Sequence, residues 1–536
     1  MTADARVFDA IVIGAGHNGL VCAAYLARAG RRVLVLERRE HVGGMAETTE
    51  LAPGVRVPGL AHTVGRFRAS IVRDLRLRDH GLRFIAPDVR VFAPQPDGRA
   101  IVLHSDASLT VNALATNDLV GPRDAARYLE IDERVRALGR ALGQIHARVP
   151  PDLASVSIGD VINGLGTALR ARSRTRRTSD GLLRVIPMAV YDLIDEWFES
   201  DALRAVTAAR GVLLSGLGPR MPGTAGVLLS DGAGNEGGLA GQTVFARGGP
   251  GALTEALAAA ARSFGATVRT GVMVERVLSD GDGDRARGVV LEGGEEIAAP
   301  IVVSGLDPKT TLLSLLEPEV LGPRLSWRTS NIRQRGVTAK VNVALRGVPD
   351  FPGAREDPRQ LRGRIVLAPS MAALERASDP AKYGAAADEP IIELTIPSLA
   401  DPTLVDVERA GDVRHVASAI VQVAGAGAAE AATRVIESYA PGFADLVVAR
   451  AEITPADIER DYGAAGGHPM HAEIGLDQWF EWRPLHGLGR YRMPLTGFYL
   501  CGSGAHPGGG VTGAPGYLAA LEIVADEHAG RLRVDV

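Results

Sequence analysis

The chain is poor in cysteine. Cys22 and Cys501 are the two present among 536 residues, and no C-x-x-C or C-x-x-x-x-C pair exists. That spacing argues against dithiol redox chemistry and against a disulfide framework. Lysine is scarce as well: Lys309, Lys340 and Lys382 stand in a chain whose other basic residues are arginine. Charge of one sign is not in excess, with 59 Lys and Arg against 63 Asp and Glu and a net charge of -4. Without a basic field, nucleic acid is not an expected partner. No uninterrupted apolar run approaches the ~18–20 residues that span a bilayer. Met1 to Asp9 carries no apolar stretch of the kind a signal peptide needs. The expectation is a cytoplasmic protein. The length exceeds what one compact core serves, so two domains, or a large α/β body with an insertion, are expected.

What is present begins at the N-terminus. Ala10 to Ile13 is a short apolar run that suits a buried parallel strand. It leads into Gly14-Ala15-Gly16-His17-Asn18-Gly19, a helical pattern from Leu20 to Ala29, and a second apolar run, Val33 to Leu36, that ends at Glu37. Gly14 permits a tight turn, Gly16 lets a pyrophosphate approach the backbone, and Gly19 lets helix and strand pack closely. The exposed N–H groups of the helix start attract phosphate. Glu37 stands where a carboxylate can hold ribose hydroxyls, which argues against a 2′-phosphate there. This order of strand, glycines, helix, strand and acid specifies a dinucleotide site without separating FAD from NAD. Two other glycine clusters lack the context. Gly232 to Gly237 is followed by poor helix and reads as a loop. Gly425-Ala426-Gly427 is followed by Glu430, which would repel phosphate, so it reads as an ordinary strand–turn–helix. A second dinucleotide site, for NAD, is not expected.

Further along, Leu253 to Ser263 reads as an Ala-rich helix. Gly271 to Leu278, Arg287 to Leu291 and Glu296 to Val303 read as short strands of a small antiparallel sheet. Near the C-terminus, Phe498 to Cys501 reads as a strand that meets a loop holding six glycines from Gly502 to Gly513, followed by a helix from about Val511 to His528. A helix start there can stabilise negative charge, such as that on N1 of a reduced flavin. Arg170, Arg172, Arg174, Arg176 and Arg177 form a basic cluster that reads either as a solvated loop or as a contact with anionic lipid at a membrane surface. Val337 to Leu345 alternates, with Thr338, Lys340 and Asn342 on one face. That face meets either water or a site. His471, with His468 three residues earlier, is either a structural histidine or an acid–base group. No third ligand stands at a metal-binding spacing beside them.

Several of these segments resemble a known family. The first glycine motif with Glu37-Arg38 and the Gly43-Gly44 pair is similar to the FAD entry segment of the phytoene desaturase and amine oxidase superfamily. The tail from Leu500 to Gly516 resembles a narrower group, the phytoene-dehydrogenase-like pyridine nucleotide-disulfide oxidoreductase domain-containing protein 2 family. Trp197 to Ser200, Tyr439 to Phe443, Leu476 to Gln478 and Arg483-Pro484 are similar too. The resemblance implies an α/β fold: a Rossmann-like FAD-binding domain, made of a parallel sheet plus a small antiparallel sheet, with an inserted α+β substrate domain. The expected division assigns 1–75, 241–306 and 491–536 to the FAD-binding domain and 76–240 and 307–490 to the substrate domain. Beyond the glycine motif, it implies FAD contacts at Arg38, Gly43, Gly44, Val274, Gly502, Ser503, Gly510, Val511 and Thr512. It implies non-covalent FAD, Cys501 being poorly placed for a covalent link, and places Lys340 and His471 near the flavin as catalytic candidates. The implied activity is a dehydrogenase or desaturase acting on a C–C or C–N bond of a small apolar or amine-like substrate. An amine oxidase using oxygen, a redox-neutral flavin isomerase and a non-catalytic flavin scaffold are the alternatives, with an oligomer open. His468 departs from the family's asparagine, so substrate preference is expected to differ.

Overall fold

The computed structural model describes residues 8–151, 181–235 and 237–532. The basic cluster from Arg170 to Arg177 lies outside the described residues.

The two N-terminal apolar runs form strands β1 (Ala10–Ile13) and β2 (Val33–Leu36), each buried at all four positions. Continuous Ile, Val and Leu suit strands covered on both faces. Between them runs helix α1 (His17–Arg28). The sheet is parallel throughout, in the order Phe498–Leu500, Ile301–Ser304, β1, β2, Thr267–Arg269. Helices α1, Gly251–Ser263 and Ala514–His528 share its core. Close approach is possible because the contact points lack Cβ atoms. A Cβ on Gly19 would lie 2.1 Å from the Gly14 carbonyl oxygen, and one on Gly516 would lie 2.1 Å from that of Asn18.

The antiparallel appendage has three strands, Val274–Ser279, Ala286–Leu291 and Glu296–Ala298. Here the sequence reading needs correction. The expected strand Glu296 to Val303 is two strands, broken at Ala299-Pro300, because proline offers no N–H to a ladder. Its second half joins the parallel sheet beside β1. The strand expected from Gly271 starts only at Val274, since Gly271 turns with φ +69°. The last helix starts at Ala514 rather than Val511, because Gly510 and Gly513 have φ of +90° and +70°. Gly232 and Ala233, expected in a loop, end the helix Thr224–Ala233.

The larger sheet has seven strands, in the order Val447–Ile453, Thr338–Leu345, His415–Gln422, Ile392–Thr395, Arg364–Leu367, Val89–Pro94, Ala100–His104. Its pairings are antiparallel except that of Arg364–Leu367 with Val89–Pro94. The Gly425 cluster therefore follows an antiparallel strand and belongs to no mononucleotide-binding unit. One face packs Ala339, Val341, Ile392, Leu394 and Ala419 against the helix Ala428–Glu437. The other face carries Lys340. Among the described residues, no helix is long and apolar enough to cross a membrane.

A cleft at the carboxyl ends of the parallel strands

A single cleft runs along the carboxyl ends of the parallel strands. Gly14 after β1, Glu37 after β2 and Leu306 after Ile301–Ser304 all line it. This is the crevice where strand order reverses direction, between β1 and Ile301–Ser304, and such crevices bind nucleotides. Gly14 turns the chain with φ +94°. Gly16 has an ordinary φ of -70°, but a Cβ there would meet no protein atom within 4 Å, so its bare backbone edges the open cleft. Glu37 accepts from the Ala15 N–H at 2.7 Å and the Arg39 N–H at 3.0 Å, which fixes its carboxylate at the glycine loop. Arg38, Gly44 and Val274 line the same stretch. Gly43 does not. Its N–H donates to the Ala15 carbonyl at 3.0 Å, holding the second glycine pair against the first loop.

The C-terminal glycine loop closes on this cleft. Ser503, Gly510 and Val511 line it with His17, Asn18 and Gly19. Gly502 and Thr512 stand behind. A Cβ on Gly502 would lie 2.3 Å from the Leu306 carbonyl oxygen, and the Thr512 hydroxyl accepts from the Ala514 N–H at 3.2 Å. Asn18 Nδ2 donates to Ser503 Oγ at 3.1 Å and joins the two loops. His17 Nε2 and Asn18 Oδ1 are buried without partners. Burial, with His471 nearby, pushes the His17 imidazole down to about 4, so it is neutral at pH 7. An edge free of Cβ atoms, unpartnered polar atoms and a fixed carboxylate fit a dinucleotide such as FAD.

Beyond the glycine loops the cleft reaches the larger sheet. Its register sets Lys340 opposite Ile420, and Ile420 opposite Glu393, so the three stand in a row on one face. The alternation read from the sequence holds, but the polar face turns into the cleft and is buried instead of meeting water. Lys340 is 1 % exposed and its Nζ has no hydrogen-bond partner. Burial pushes its ammonium well below the ordinary lysine range, with Glu393 pulling the other way. His471 also lines the cleft, held at φ +62° with Nδ1 unpartnered. Burial lowers its pKa, Asp307 opposing and Arg483 reinforcing. His468 does not line the cleft. Its Nδ1 accepts from the Met470 N–H at 3.1 Å, and burial pushes it down to about 3.

The sequence reading missed a charged group at this end. His62, Arg66, Arg210, Arg364 and Glu393 line the cleft as well. Arg210 donates to both Glu393 oxygens, at 3.0 and 2.9 Å, and to Asp231 at 2.5 Å. Burial disfavours the Glu393 charge, yet Arg210 and Arg364 hold its carboxyl well below the usual range. A signal did exist: Arg364 and Glu393 are single charges inside apolar strands, where an ionised residue seldom sits unless paired.

Arg483 and the two cysteines do not line the cleft. Arg483 is buried and donates to the carbonyls of Met470, Ala472, Glu473 and Ser503, so it ties segments together. Cys22 and Cys501, far apart in sequence, meet in the core. Their contact, together with burial, raises the Cys22 thiol well above the ordinary range, and neither thiol lines the cleft.

A parallel Rossmann-type sheet with a cofactor cleft at its switch point, reaching under a second, mixed sheet, defines a two-sheet flavin-type oxidoreductase. The family described as NAD(P)-binding Rossmann-like domain matches residues 12–75. Pyridine nucleotide-disulfide oxidoreductase domain-containing protein 2 from Rattus norvegicus is 34% identical, over 97% of this chain and 94% of that protein. A limonene dehydrogenase polypeptide from Castellaniella defragrans is 26% identical, over 97% of this chain and 94% of its own. Among solved structures, cyclohexylamine oxidase from Brevibacterium oxydans superposes with a TM-score of 0.56 at 17% identity, covering 98% of this chain and 100% of that one. The chain belongs to the pyridine nucleotide-disulfide oxidoreductase domain-containing protein 2 family, within the FAD-dependent oxidoreductase superfamily that includes the phytoene desaturases.

Proposed function

We propose that the chain is an FAD-dependent dehydrogenase that holds its cofactor non-covalently and removes hydride from a C–H bond of a largely apolar small molecule. The observation that carries this reading is the continuity of the cleft from Glu37 and the glycine loops to Lys340. On this reading residues 1–75, 241–306 and 491–536 hold the cofactor, while 76–240 and 307–490 shape the substrate end. When bound, FAD supplies the hydride acceptor. The protein's own part is placement and exclusion of water. Glu37 would hold ribose hydroxyls. Gly14, Gly16, His17, Asn18 and Gly19 would receive the pyrophosphate. Ser503, Gly510 and Val511 would bound the other side, with Gly43, Gly502 and Thr512 shaping the loops behind. Ile420, Leu214 and Met470 give the substrate end apolar walls. His471 and Lys340 are the titratable groups we assign to proton handling there. The position of Cys501 against Cys22 in the core, away from the cleft, supports the non-covalent reading.

The full-length likeness to the limonene dehydrogenase polypeptide supports a dehydrogenase acting on C–H bonds. An amine oxidase is the second reading, supported by the fold shared with cyclohexylamine oxidase. Two measurements separate them. Anaerobic bleaching of the flavin by a candidate hydrocarbon, with slow peroxide formation in air, is the dehydrogenase result. Rapid peroxide formation with an amine is the oxidase result. In that second case Lys340→Met should slow reoxidation of the reduced protein by oxygen about 10-fold or more, and unchanged reoxidation would remove Lys340 from the reaction.

A further inference from the structure

The substrate end of the cleft carries more positive than negative charge. The guanidiniums of Arg66, Arg210 and Arg364 and the amine of Lys340 line it, against two carboxylates, Glu393 on the cleft and Asp231 behind it. Both carboxylates are already engaged. Glu393 accepts from Arg210 through both oxygens and from His62 at 3.1 Å. Asp231 accepts from Arg210 and, at 2.6 Å, from the Gly241 N–H. Each is already charge-balanced by a guanidinium, so neither offers a free carboxylate to an ammonium group.

The donors are not all engaged. On the cleft face of the larger sheet, the neutral polar groups satisfy one another. Thr338 donates to Gln422 at 3.2 Å, Ser418 to Asn342 at 2.6 Å, and Asn342 to the Pro58 carbonyl at 2.8 Å. Arg364, 3 % exposed, spends Nη2 on Thr63 at 2.5 Å, sets Nε in an ion pair 3.4 Å from Glu393 without a hydrogen bond, and leaves Nη1 unpartnered. Lys340 Nζ is unpartnered as well, and Arg66 Nε, 3.8 Å from Asp231, makes no hydrogen bond. Buried donors left unmade are costly, and unbalanced buried cations more so. A ligand oxyanion would satisfy both deficits. A planar guanidinium beside an ammonium matches a carboxylate or a phosphate.

We propose that this end of the cleft is a subsite for an oxyanion head group, carboxylate or phosphate, on an otherwise apolar substrate. The proposal rests on the reading of the cleft as a cofactor and substrate channel, and it narrows that reading. The substrate is an amphiphilic acid, and a cationic amine is disfavoured. The neighbouring Ile420, Leu214 and Met470 would take its apolar body. The unpartnered Lys340 becomes one of the groups that anchor it, its charge restored by the anion it receives.

Isothermal titration of the purified holoprotein tests this with four probes of equal chain length: decanoate, decyl phosphate, decanol and decylamine. The expected result is that decanoate or decyl phosphate binds about 10- to 100-fold tighter than decanol and decylamine, and the stronger of the two identifies the head group. Arg364→Gln should remove that preference. Should it fail to fold, Lys340→Met decides, since Lys340 gives up no hydrogen bond on substitution. Equal binding of all four probes, tighter binding of decylamine, or an anion preference that survives Lys340→Met would overturn the proposal. Flavin content is measured on each sample. A flavin-free protein would sink the cofactor reading, while the heats of binding would still decide the head group.

Discussion

Gly16 and Gly19 stand three residues apart and are glycines for different reasons. Gly16 faces open space, so an alanine there meets nothing in the protein and adopts its φ without strain. Gly16→Ala should leave the melting temperature of flavin-free protein unchanged or slightly raised, while weakening FAD about 10-fold or more because the methyl occupies the phosphate edge. Gly19 packs on the Gly14 carbonyl, where a Cβ would lie at 2.1 Å. Gly19→Ala should cost about 1–3 kcal/mol of stability whether or not flavin is present. Thermal melts of the two variants with and without FAD separate a site glycine from a packing glycine. If both variants behave alike, the assignment of Gly16 to the phosphate edge fails.

At the scale of elements, the segment from Met470 to Gln478 and the Ser503 loop are joined by one side chain. Arg483 donates to carbonyls on both, and burial lowers its pKa to about 10. Arg483→Ala would strand several buried acceptors, each costing about 1–3 kcal/mol. The total loss should exceed about 3 kcal/mol by denaturant unfolding. Arg483→Lys should not restore it, because an ammonium cannot fork to carbonyls on separate strands. A lysine variant as stable as the parent would show that the fork is not what joins these segments.

The same scale shows what was legible in the sequence. β1, α1 and β2 were readable because their apolar runs are continuous and the glycines between them occur at fixed offsets. The alternation of Thr338 to Leu345 was readable too, but alternation alone does not say what lies opposite the polar face. That depends on which strands become neighbours. Lys340, Ile420 and Glu393 form a row only because strands far apart in sequence pair in one register. The arginine group was hidden for the same reason, since Arg66, Arg210 and Arg364 come from separate segments. The split at Pro300 was missed although the proline was visible, because the chain on both sides is extended and only the partner strand changes.

For the whole molecule, buried neutral histidines set the response to acid. Burial pushes His17 down to about 4 and His62, His468 and His506 down to about 3. Arg68 and Arg483 reinforce this at His506, and Lys340 does so at His62. In the unfolded chain these groups take up protons below about 6.5, while in the folded chain they remain neutral until about pH 3–4. Their contribution to stability is therefore present above about pH 6.5 and is lost as pH falls toward 4, by up to about 1.4 kcal/mol per pH unit for each group. Glu393, held low by its arginines, adds a loss in the same direction below about pH 4. The melting temperature at pH 5 should lie about 5 °C or more below that at about pH 7.5. A flat profile across this range would mean the histidines are not buried as described.

The most direct test of the central claim is the flavin content of the purified protein. The cleft along Gly14, Gly16, Glu37, Ser503 and Gly510 predicts a yellow protein with close to one FAD per chain, released into the supernatant by heat or acid and identified by its absorbance and chromatography. A colourless protein that takes up no added FAD in an equilibrium titration would contradict the account, as would flavin that stays with the precipitated chain.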